Sequence, residues 1–228
     1  MIISIHQPNY IPWLGFFKKI ESSDLFVLLD DVQFSKNDFQ NRNIIRTIDG
    51  SIWLTVPIHS SSKSMINQIN IVKNSNWISK HEKSIEVNYS QTQNYDRLSK
   101  SLDTIYSKNY ELLVDLNIAL IQLICKELDL KTKLILSSSL GLTKKGSERI
   151  LEICNILNAD TYLSGIGGKN YLKLEDFETK NIKIKFQNFQ HPVYKQFYQP
   201  FIPNISIIDL LFNEGNHSKE ILKKASNF

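Results

Sequence analysis

Short apolar runs alternate with amphipathic stretches along the chain, a pattern that predicts a mixture of β-strands and α-helices. The run MIISI opens the chain and stops at polar residues, and LFVLLDD is a second such run. Continuous apolar runs of this length are typical of parallel strands buried on both faces. Between them, LGFFKKIESSD places apolar residues at helical spacing. Strand, helix and strand in this order predict a βαβ unit with a right-handed crossover.

The remaining pattern predicts more elements of both kinds. We expect strands at SIWLTVPI, INQINIV, TKLILSSSLGL (running into a loop), TYLSG and IKIKFQNF, the last of them at a sheet edge. Residues of about 76–130 repeat apolar positions every three or four residues and predict a helical insertion. Further helices are expected at ERILEICNIL, capped by Ser147, and at SIIDLLFNEG and HSKEILKKAS. The prediction is one α/β domain over 1–228 with a mostly parallel, Rossmann-like sheet.

Composition and charge narrow the class of protein. The chain has 228 residues, 42% of them hydrophobic and 22% charged, which is ordinary for a globular protein. Its net charge is +4, but the basic residues are scattered and form no stripe of the kind that nucleic-acid binders carry. The small positive excess suits an anionic small-molecule substrate, such as a phosphate or a nucleotide-linked compound.

Cysteine usage and hydropathy predict a cytoplasmic protein. Cys125 and Cys154 lie in amphipathic helical patterns without paired spacing, so we expect buried thiols in a reducing compartment. The chain shows neither a signal-peptide pattern at its start nor an apolar run near the 20 residues of a membrane span. Action at the membrane face on a lipid-linked substrate stays open.

Candidate functional residues cluster where the predicted strands end, because ligands of open α/β sheets bind beyond the carboxyl ends of the strands. The candidates are His6, Gln7 and Asn9 after the first strand, Asp30, Asp31, Gln33, Asn41, Arg42 and Asn43 after the second, and Ser164, Gly165, Gly167 and Gly168 after TYLSG. This convergence of a base, carboxylates, an arginine and a glycine loop is the main indication of an enzyme.

Each type of side chain suggests a role and has a structural alternative. His6 is the candidate general base, since an ordinary imidazole titrates near neutral pH, although it could simply be tied to backbone. Asp30 and Asp31 alternate along a strand, so one of them is expected to face the site and to orient His6, bind a metal or receive a sugar group. Arg42 suits a phosphate or carboxylate, or else lies in a polar surface turn.

Several other residues are weaker candidates. Tyr10 and Trp13 belong to an aromatic group that could stack on a base or sugar, or could equally be core. The turn SGIGG could present backbone N–H groups to an anion, but it lacks the spacing of a Walker loop or a dinucleotide fingerprint. Tyr171 could cover the site, and His191 could enter it or only start a turn. The other histidines, His59, His81 and His217, are expected at the surface. The sequence shows neither a recognised metal motif nor a hydrolase motif.

The sequence strongly resembles the WbqC-like family in the stretches IHQPNYIPWLGFFKKI, LFVLLDDVQFSKNDFQNRN, WLTVPI, ADTYLSGIGGKNYL, FQNFQHPVY and IPNISIIDLLFNEG. The resemblance covers nearly the whole chain. It implies a role in assembling O-antigen or other surface polysaccharides, on a nucleotide-activated or lipid-linked sugar. The family pattern usually has Asp where this chain has Asn170, which indicates that a carboxylate is dispensable there.

A looser likeness links the chain to nucleotidylyltransferases and pantothenate synthetases. Trp13-Leu14-Gly15-Phe16 stands where those proteins have an H-x-G-H motif, and Val32-Gln33-Phe34 echoes a second motif. Both motif histidines are missing, which argues against adenylyl transfer because such imidazoles stabilise the charge developing on the phosphates. The fold likeness is an analogy.

Three functional hypotheses follow. The first is an enzyme that transfers an N-acyl or aminoacyl group to an amino sugar carried on a nucleotide, with His6 as base and with Arg42, Gly167 and Gly168 holding diphosphate. The second is an ATP-using, adenylate-forming ligase on the same scaffold, with ATP the cofactor it would require. The third is a non-catalytic protein that binds sugar nucleotides for other glycan-assembly enzymes.

Overall fold

The computed structural model describes residues 1–59 and 63–226 and shows a mixed α/β fold. Its strands are β1 (Ile2–His6), β2 (Leu25–Leu28), β3 (Arg42–Thr47), β4 (Gly50–Thr55), β5 (Ile58–His59), β6 (Asn70–Ile71), β7 (Lys133–Leu136), β8 (Thr161–Ser164) and β9 (Lys183–Phe186). Its helices are α1 (Leu14–Glu21), α2 (Trp77–Tyr89), α3 (Tyr95–Tyr106), α4 (Leu113–Glu127), α5 (Gly146–Ile156), α6 (Leu174–Glu178), α7 (Ile207–Glu214) and α8 (Ser218–Lys224).

Five strands form a parallel sheet in the order β7-β2-β1-β8-β9. β1 is central: Ile3 pairs with Leu25 of β2 on one side and with Tyr162 of β8 on the other. The residues of β2 and β8 are nearly all buried, as expected for strands covered on both faces. The Rossmann-like parallel sheet predicted from the apolar runs is confirmed, and so is the edge position of β9.

The predicted helical insertion is also confirmed, as α2, α3 and α4. Their apolar faces share one core with α1, α7 and one side of the sheet, through residues such as Tyr89, Leu102 and Leu120. A second core on the other side of the sheet packs α5 and Phe177 of α6 against β1 and β8. In the described part of the chain, no helix is both long enough and apolar enough to cross a membrane.

One strand was missed, and two local predictions were wrong. SIWLTVPI does form a strand, β4, but it pairs antiparallel with β3, a strand the sequence analysis missed because NRNIIRT does not alternate. INQINIV is mostly not a strand: Ile66 and Ile69 are both fully buried at a spacing of three, which suits the short 3₁₀ helix Ile66–Gln68. Ser147 does not cap α5, because the N-cap of this helix is Lys145. The Ser147 hydroxyl instead accepts a hydrogen bond from the Lys173 backbone N–H.

A buried carboxylate ties the C-terminal part of the chain to the insertion. Asp209 of α7 is fully buried and accepts hydrogen bonds from the Tyr89 hydroxyl of α2 (2.9 Å), the Tyr194 hydroxyl (2.8 Å) and the Gln196 side-chain amide (2.9 Å). Burial raises the pKa of Asp209, while these hydrogen bonds oppose the rise. Two separate segments, α2 and residues 194–196, are therefore held to α7 by one acceptor.

Replacing Asp209 with Ala should lower the free energy of unfolding by more than about 3 kcal/mol, because three buried donors lose their acceptor at roughly 1–3 kcal/mol each. Asp103→Ala, the same change at an exposed position in the middle of α3, is the control and should shift stability by less than about 0.5 kcal/mol. Urea unfolding followed by circular dichroism measures both. Equal losses in the two variants would contradict a special role for Asp209.

Candidate functional site

The strand order places a crevice between β1 and β8. The chain runs outward from β1 to β2 and β7 and then crosses to the other side of β1 to form β8 and β9. At such a reversal the loops after the two adjacent strands turn away from each other, which leaves room for a ligand beyond their carboxyl ends. His6 ends β1 and Ser164 ends β8, so both lie at this crevice.

A cavity of about 980 Å³ opens at this point. Nine of the residues proposed from the sequence line it: His6, Gln7, Asn9, Trp13, Ser164, Gly165, Gly167, Gly168 and Tyr171. Residues that the sequence analysis missed also line it, among them Lys19, Asp38, Arg149, Tyr162 and Phe189. The volume is at the upper end of the range for small-molecule sites and suits a ligand as large as a nucleotide-linked sugar.

The segment after β1, which we call the 7–13 loop, is held in a strained conformation. Ile11 is fully buried and has a φ of +35°, a region that a β-branched residue rarely enters. Its carbonyl accepts hydrogen bonds from the Asn43 side-chain amide (2.8 Å) and the Ser206 hydroxyl (2.7 Å). The Asn43 amide also donates to the Tyr10 carbonyl (3.1 Å). These three hydrogen bonds hold the backbone of Tyr10 and Ile11 in place, so the strained conformation of Ile11 persists.

A second side-chain amide braces the start of the same loop. Asn117, fully buried on α4, donates to the Pro8 carbonyl (2.9 Å) and to the Gln40 carbonyl (2.8 Å). The Gln40 side chain in turn donates to the Gln7 side-chain oxygen (2.7 Å). Asn117 of the helical insertion therefore fixes the orientation of the Gln7 side chain in the cavity, through Gln40. Nothing in the local sequence around Gln7 could have shown this.

The aromatic wall of the cavity is formed by Trp13 and Phe189, whose rings meet edge to face with centroids 5.2 Å apart. Gly15 permits this position of the indole, because a Cβ there would lie 2.3 Å from the Trp13 ring. The Gln187 side chain donates to the Gly15 carbonyl (2.8 Å), joining the segment after β9 to the start of α1. Aromatic walls of this kind accept sugar rings and bases.

His6 lies in the cavity as a neutral imidazole. Its Nδ1 lies 2.9 Å from the Gln7 carbonyl oxygen, an acceptor, so Nδ1 carries the hydrogen and Nε2 keeps a lone pair. Burial, with a smaller contribution from the positive charge of Lys19, lowers the pKa of His6 to about 4. His6 is thus uncharged at neutral pH and can accept a proton, but it is a weaker base than an ordinary histidine.

The loop after β8 packs tightly on the strand it follows. The Ser164 hydroxyl donates to the Gly165 carbonyl (3.0 Å), and a Cβ on Gly168 would lie only 2.1 Å from the Ser164 Oγ. Two tyrosines also line the cavity here: Tyr162 of β8, which is buried, and Tyr171 after the loop, which is half exposed. Burial raises the pKa of the Tyr171 phenol, and a hydrogen bond with Tyr162 partly opposes the rise. Both phenols remain protonated at neutral pH.

Arg149 brings a positive charge into the cavity from α5. Its guanidinium forms an ion pair with Asp31, which follows β2, and its Nη1 donates to the Lys144 carbonyl (3.2 Å). Its Nε is buried and has no hydrogen-bond partner among the described residues. The guanidinium is therefore oriented by protein groups, and the donors left for a ligand are the Nη hydrogens that Asp31 and Lys144 do not use. Asp31, one of the proposed catalytic residues, positions Arg149 and does not itself line the cavity.

Lys19, on α1, is the second cation of the cavity lining. Its side chain is 2% exposed and its ammonium donates to the Ile5 carbonyl (2.8 Å). Burial lowers the pKa of Lys19 to about 7. The sequence pattern could not predict this placement: adjacent lysines in a short helix normally face solvent, whereas every residue from Leu14 to Ile20 is buried here.

The other residues proposed from the sequence lie outside the cavity. Asp30, Gln33, Tyr10, Asn41, Arg42, Asn43 and His191 do not line it. Asp30 is buried and fixes β2 to the turn after β7, accepting from the Ser137 hydroxyl (3.0 Å) and the Ser138 backbone N–H (2.9 Å). Arg42 donates to the Asn37 carbonyl and lies 4.3 Å over the Trp53 ring.

Tyr10 belongs to a buried cluster of hydroxyl and imidazole groups. Its hydroxyl lies 2.6 Å from that of Tyr106 and 2.8 Å from the Nδ1 of His81. The expectation that His81 is a surface residue was wrong, and burial lowers its pKa to about 4.

His59 and His217 are exposed and both cysteines are buried, as expected. In the described ranges, no three His, Cys, Asp or Glu side chains come together as metal ligands.

The sequence profile of the WbqC-like protein family matches residues 7–221. The chain belongs to this family. It is also similar to the uncharacterized protein Rv1507c of Mycobacterium tuberculosis (strain ATCC 25618 / H37Rv), with 32% identity over 225 residues that cover 97% of each chain. No solved structure matches the sequence. The region matched to the WbqC-like family contains the 7–13 loop, Lys19, Arg149 and the loop after β8.

The two adjacent glycines of this WbqC-like chain should differ in their tolerance of a methyl group. Gly168→Ala should lower the melting temperature by several degrees, since its Cβ would collide with the Ser164 Oγ and lie 2.9 Å from Leu172. Gly167→Ala is the matched control, because no atom lies within 4 Å of its Cβ position. Thermal unfolding of both variants tests this. A greater loss in Gly167→Ala would show that the loop has a different conformation.

Proposed function

We propose that the chain is an enzyme that modifies a nucleotide-linked sugar for surface-polysaccharide assembly, by N-acyl or aminoacyl transfer to a sugar amine. The observation that carries the proposal is the cavity between β1 and β8, where Arg149, His6 and the loop after β8 meet. This position is the general ligand site of open parallel sheets, and it combines an anion-binding side with a proton-accepting side.

The diphosphate of such a ligand fits the side of the cavity formed by Arg149 and by the Gly165–Gly168 backbone. An arginine held by a carboxylate presents its remaining N–H groups in a fixed direction, which favours bidentate binding of a phosphate. Arg149 takes the role that the sequence analysis gave to Arg42, whose guanidinium lies over Trp53. Gly165 and Gly167 carry no Cβ and have open space at that position, which lets a ligand approach the backbone closely.

The sugar fits between His6 and the aromatic wall of Trp13 and Phe189. In acyl transfer, the amine nitrogen attacks the donor's carbonyl carbon, a C–N bond forms, and the bond to the leaving group breaks. The proton leaves the nitrogen after the attack has made it strongly acidic, so the weak base Nε2 of His6 can take it. His6 then returns this proton to the leaving group. The fixed tautomer keeps Nε2 unprotonated at the start.

The family resemblance supports the biological part of the proposal, namely that the sugar belongs to a surface polysaccharide of the O-antigen type. Binding of ATP in place of a nucleotide sugar would favour the ligase hypothesis. Binding without turnover in any assay would favour a protein that only carries sugar nucleotides. A thermal-shift screen of uridine, thymidine, guanosine and cytidine diphosphate sugars and of ATP separates these outcomes, since a ligand at a hundred times its Kd stabilises a protein by about 2.7 kcal/mol.

Arg149→Met should weaken binding of the nucleotide sugar found in that screen by about 10- to 100-fold, as expected for the loss of a charge-assisted hydrogen bond worth roughly 1.5–3 kcal/mol. Arg42→Met is the matched control and should bind as the wild type does, because Arg42 lies outside the cavity. Isothermal titration calorimetry measures both. The reverse result, with Arg42 essential and Arg149 dispensable, would overturn the placement of the diphosphate.

His6→Gln should reduce turnover by about 10²–10⁴-fold, because a general base contributes roughly that factor. Glutamine keeps a polar side chain of similar size, so the variant should fold and bind the nucleotide sugar nearly as well as the wild type. Product formation, ligand binding and melting temperature are measured on both proteins. A stable variant that binds and turns over at the wild-type rate would exclude His6 as the base. A variant that only melts earlier would indicate a structural role.

A further inference from the structure

Two adjacent lysines on α1 are both buried but differ in their partners. Lys18 forms an ion pair with Glu21 (2.8 Å) and donates to the Lys223 carbonyl (3.2 Å), so its charge is compensated within the protein. Lys19 donates only to the Ile5 carbonyl, and no carboxylate of the described residues lies within ion-pair distance of it. Lys18 lies outside the cavity, whereas Lys19 lines it.

Among the described residues, no carboxylate contacts the ammonium of Lys19. The titratable groups that line the same cavity are His6 at the end of β1, Tyr162 of β8, Tyr171, Arg149 of α5 and Asp38. His6 and the two tyrosines are uncharged at neutral pH, and Arg149 is positive. Asp38 is exposed and accepts a hydrogen bond from the Phe39 backbone N–H.

A buried ammonium without a counter-ion destabilises a fold, so its presence at a ligand cavity requires an explanation. A ligand anion that docks beside it supplies the missing charge and gains a strong, desolvated interaction. Lys19 donates to the carbonyl of Ile5, the residue before His6 in β1, and therefore lies at the reacting end of the cavity. The diphosphate has its own cation at Arg149, which leaves Lys19 for a second negative group.

We propose that Lys19 binds a carboxylate of the substrate at the floor of the cavity, carried either by the sugar as a sugar acid or by a free amino acid. The amino acid becomes the acyl donor only after ATP has converted its carboxylate to an acyl phosphate with release of ADP, so that phosphate is the leaving group when the sugar amine attacks. The proposal deepens the proposed function and rests on it in placing the substrate in this cavity. It makes Lys19 a specificity-determining residue. The ammonium form is the one that binds, so a carboxylate ligand raises the pKa of Lys19 and takes up a proton near neutral pH.

The test uses carboxylates without any nucleotide, so that its failure is distinguishable from failure of the nucleotide-sugar proposal. Sodium glucuronate probes the sugar-acid source and glycine probes the free amino acid; glucose and sodium chloride are the uncharged and salt controls. The wild type, Lys19→Met and Lys18→Met are compared by titration and by melting temperature at pH 7. The binding partner of Lys18 is internal, so Lys18→Met is the matched control on the same helix.

We expect glucuronate or glycine to bind the wild type at least tenfold more tightly than glucose, and this preference to vanish in Lys19→Met but not in Lys18→Met. The affinity of the wild type for the carboxylate should fall by about tenfold per pH unit above pH 7, because the free protein then loses the binding proton. Without ligand, Lys19→Met should melt at or above the wild-type temperature at pH 7, whereas Lys18→Met should melt below it.

A measurement on the wild type keeps the proposal falsifiable if Lys19→Met does not fold. The ¹³Cε resonance of Lys19, assigned through its side-chain connectivity to the backbone, should titrate near pH 7 in the free protein and at a higher pH with saturating glucuronate or glycine. A carboxylate preference that survives in Lys19→Met, a Lys19 pKa unchanged by both carboxylates, or equal binding of glucose and both carboxylates by the wild type would overturn the proposal.

Discussion

The side-chain amides of Asn43 and Asn117 hold the backbone of the 7–13 loop, and the cavity depends on this loop. In the described part of the chain, the carbonyls of Pro8, Tyr10 and Ile11 accept from side chains and not from the backbone N–H groups of a strand or helix. Because each amide donates to two carbonyls, a small change in one side chain would release two backbone positions at once. Gln7, Asn9 and Trp13 keep their places in the cavity for this reason.

Burial determines the chemical character of the site as much as residue type does. The same desolvation lowers the pKa of His6 to about 4 and that of Lys19 to about 7, so at neutral pH the imidazole is neutral and the lysine is near its midpoint. Lys19 is thus poised to change its charge when a charged ligand binds, whereas His6 stays neutral. Arg149, held by Asp31, keeps its charge at all physiological pH values. The cavity therefore has one fixed cation and one adjustable cation.

Site residues at the ends of strands could be predicted from the sequence. Site residues on helices could not, nor could contacts between segments that lie far apart in the sequence. His6 and Ser164 follow directly from the apolar runs that precede them, and the strand order then brings them to one crevice. Lys19 and Arg149 could not be predicted, because which helical residue faces a cavity depends on how each helix packs on the sheet. Asn43 was expected to contact substrate; its amide instead meets carbonyls of residues more than thirty positions away.

The long sequence separations within the 7–13 loop network have a consequence for how the protein folds. The Ile11 carbonyl receives hydrogen bonds from residues 43 and 206, and the Pro8 carbonyl receives one from residue 117. Such non-local contacts form late, because the chain must first close large loops. On the ribosome, residues 8–11 emerge well before residues 117 and 206 and must wait for them before the site takes shape. A folding intermediate can possess the sheet and still have no cavity.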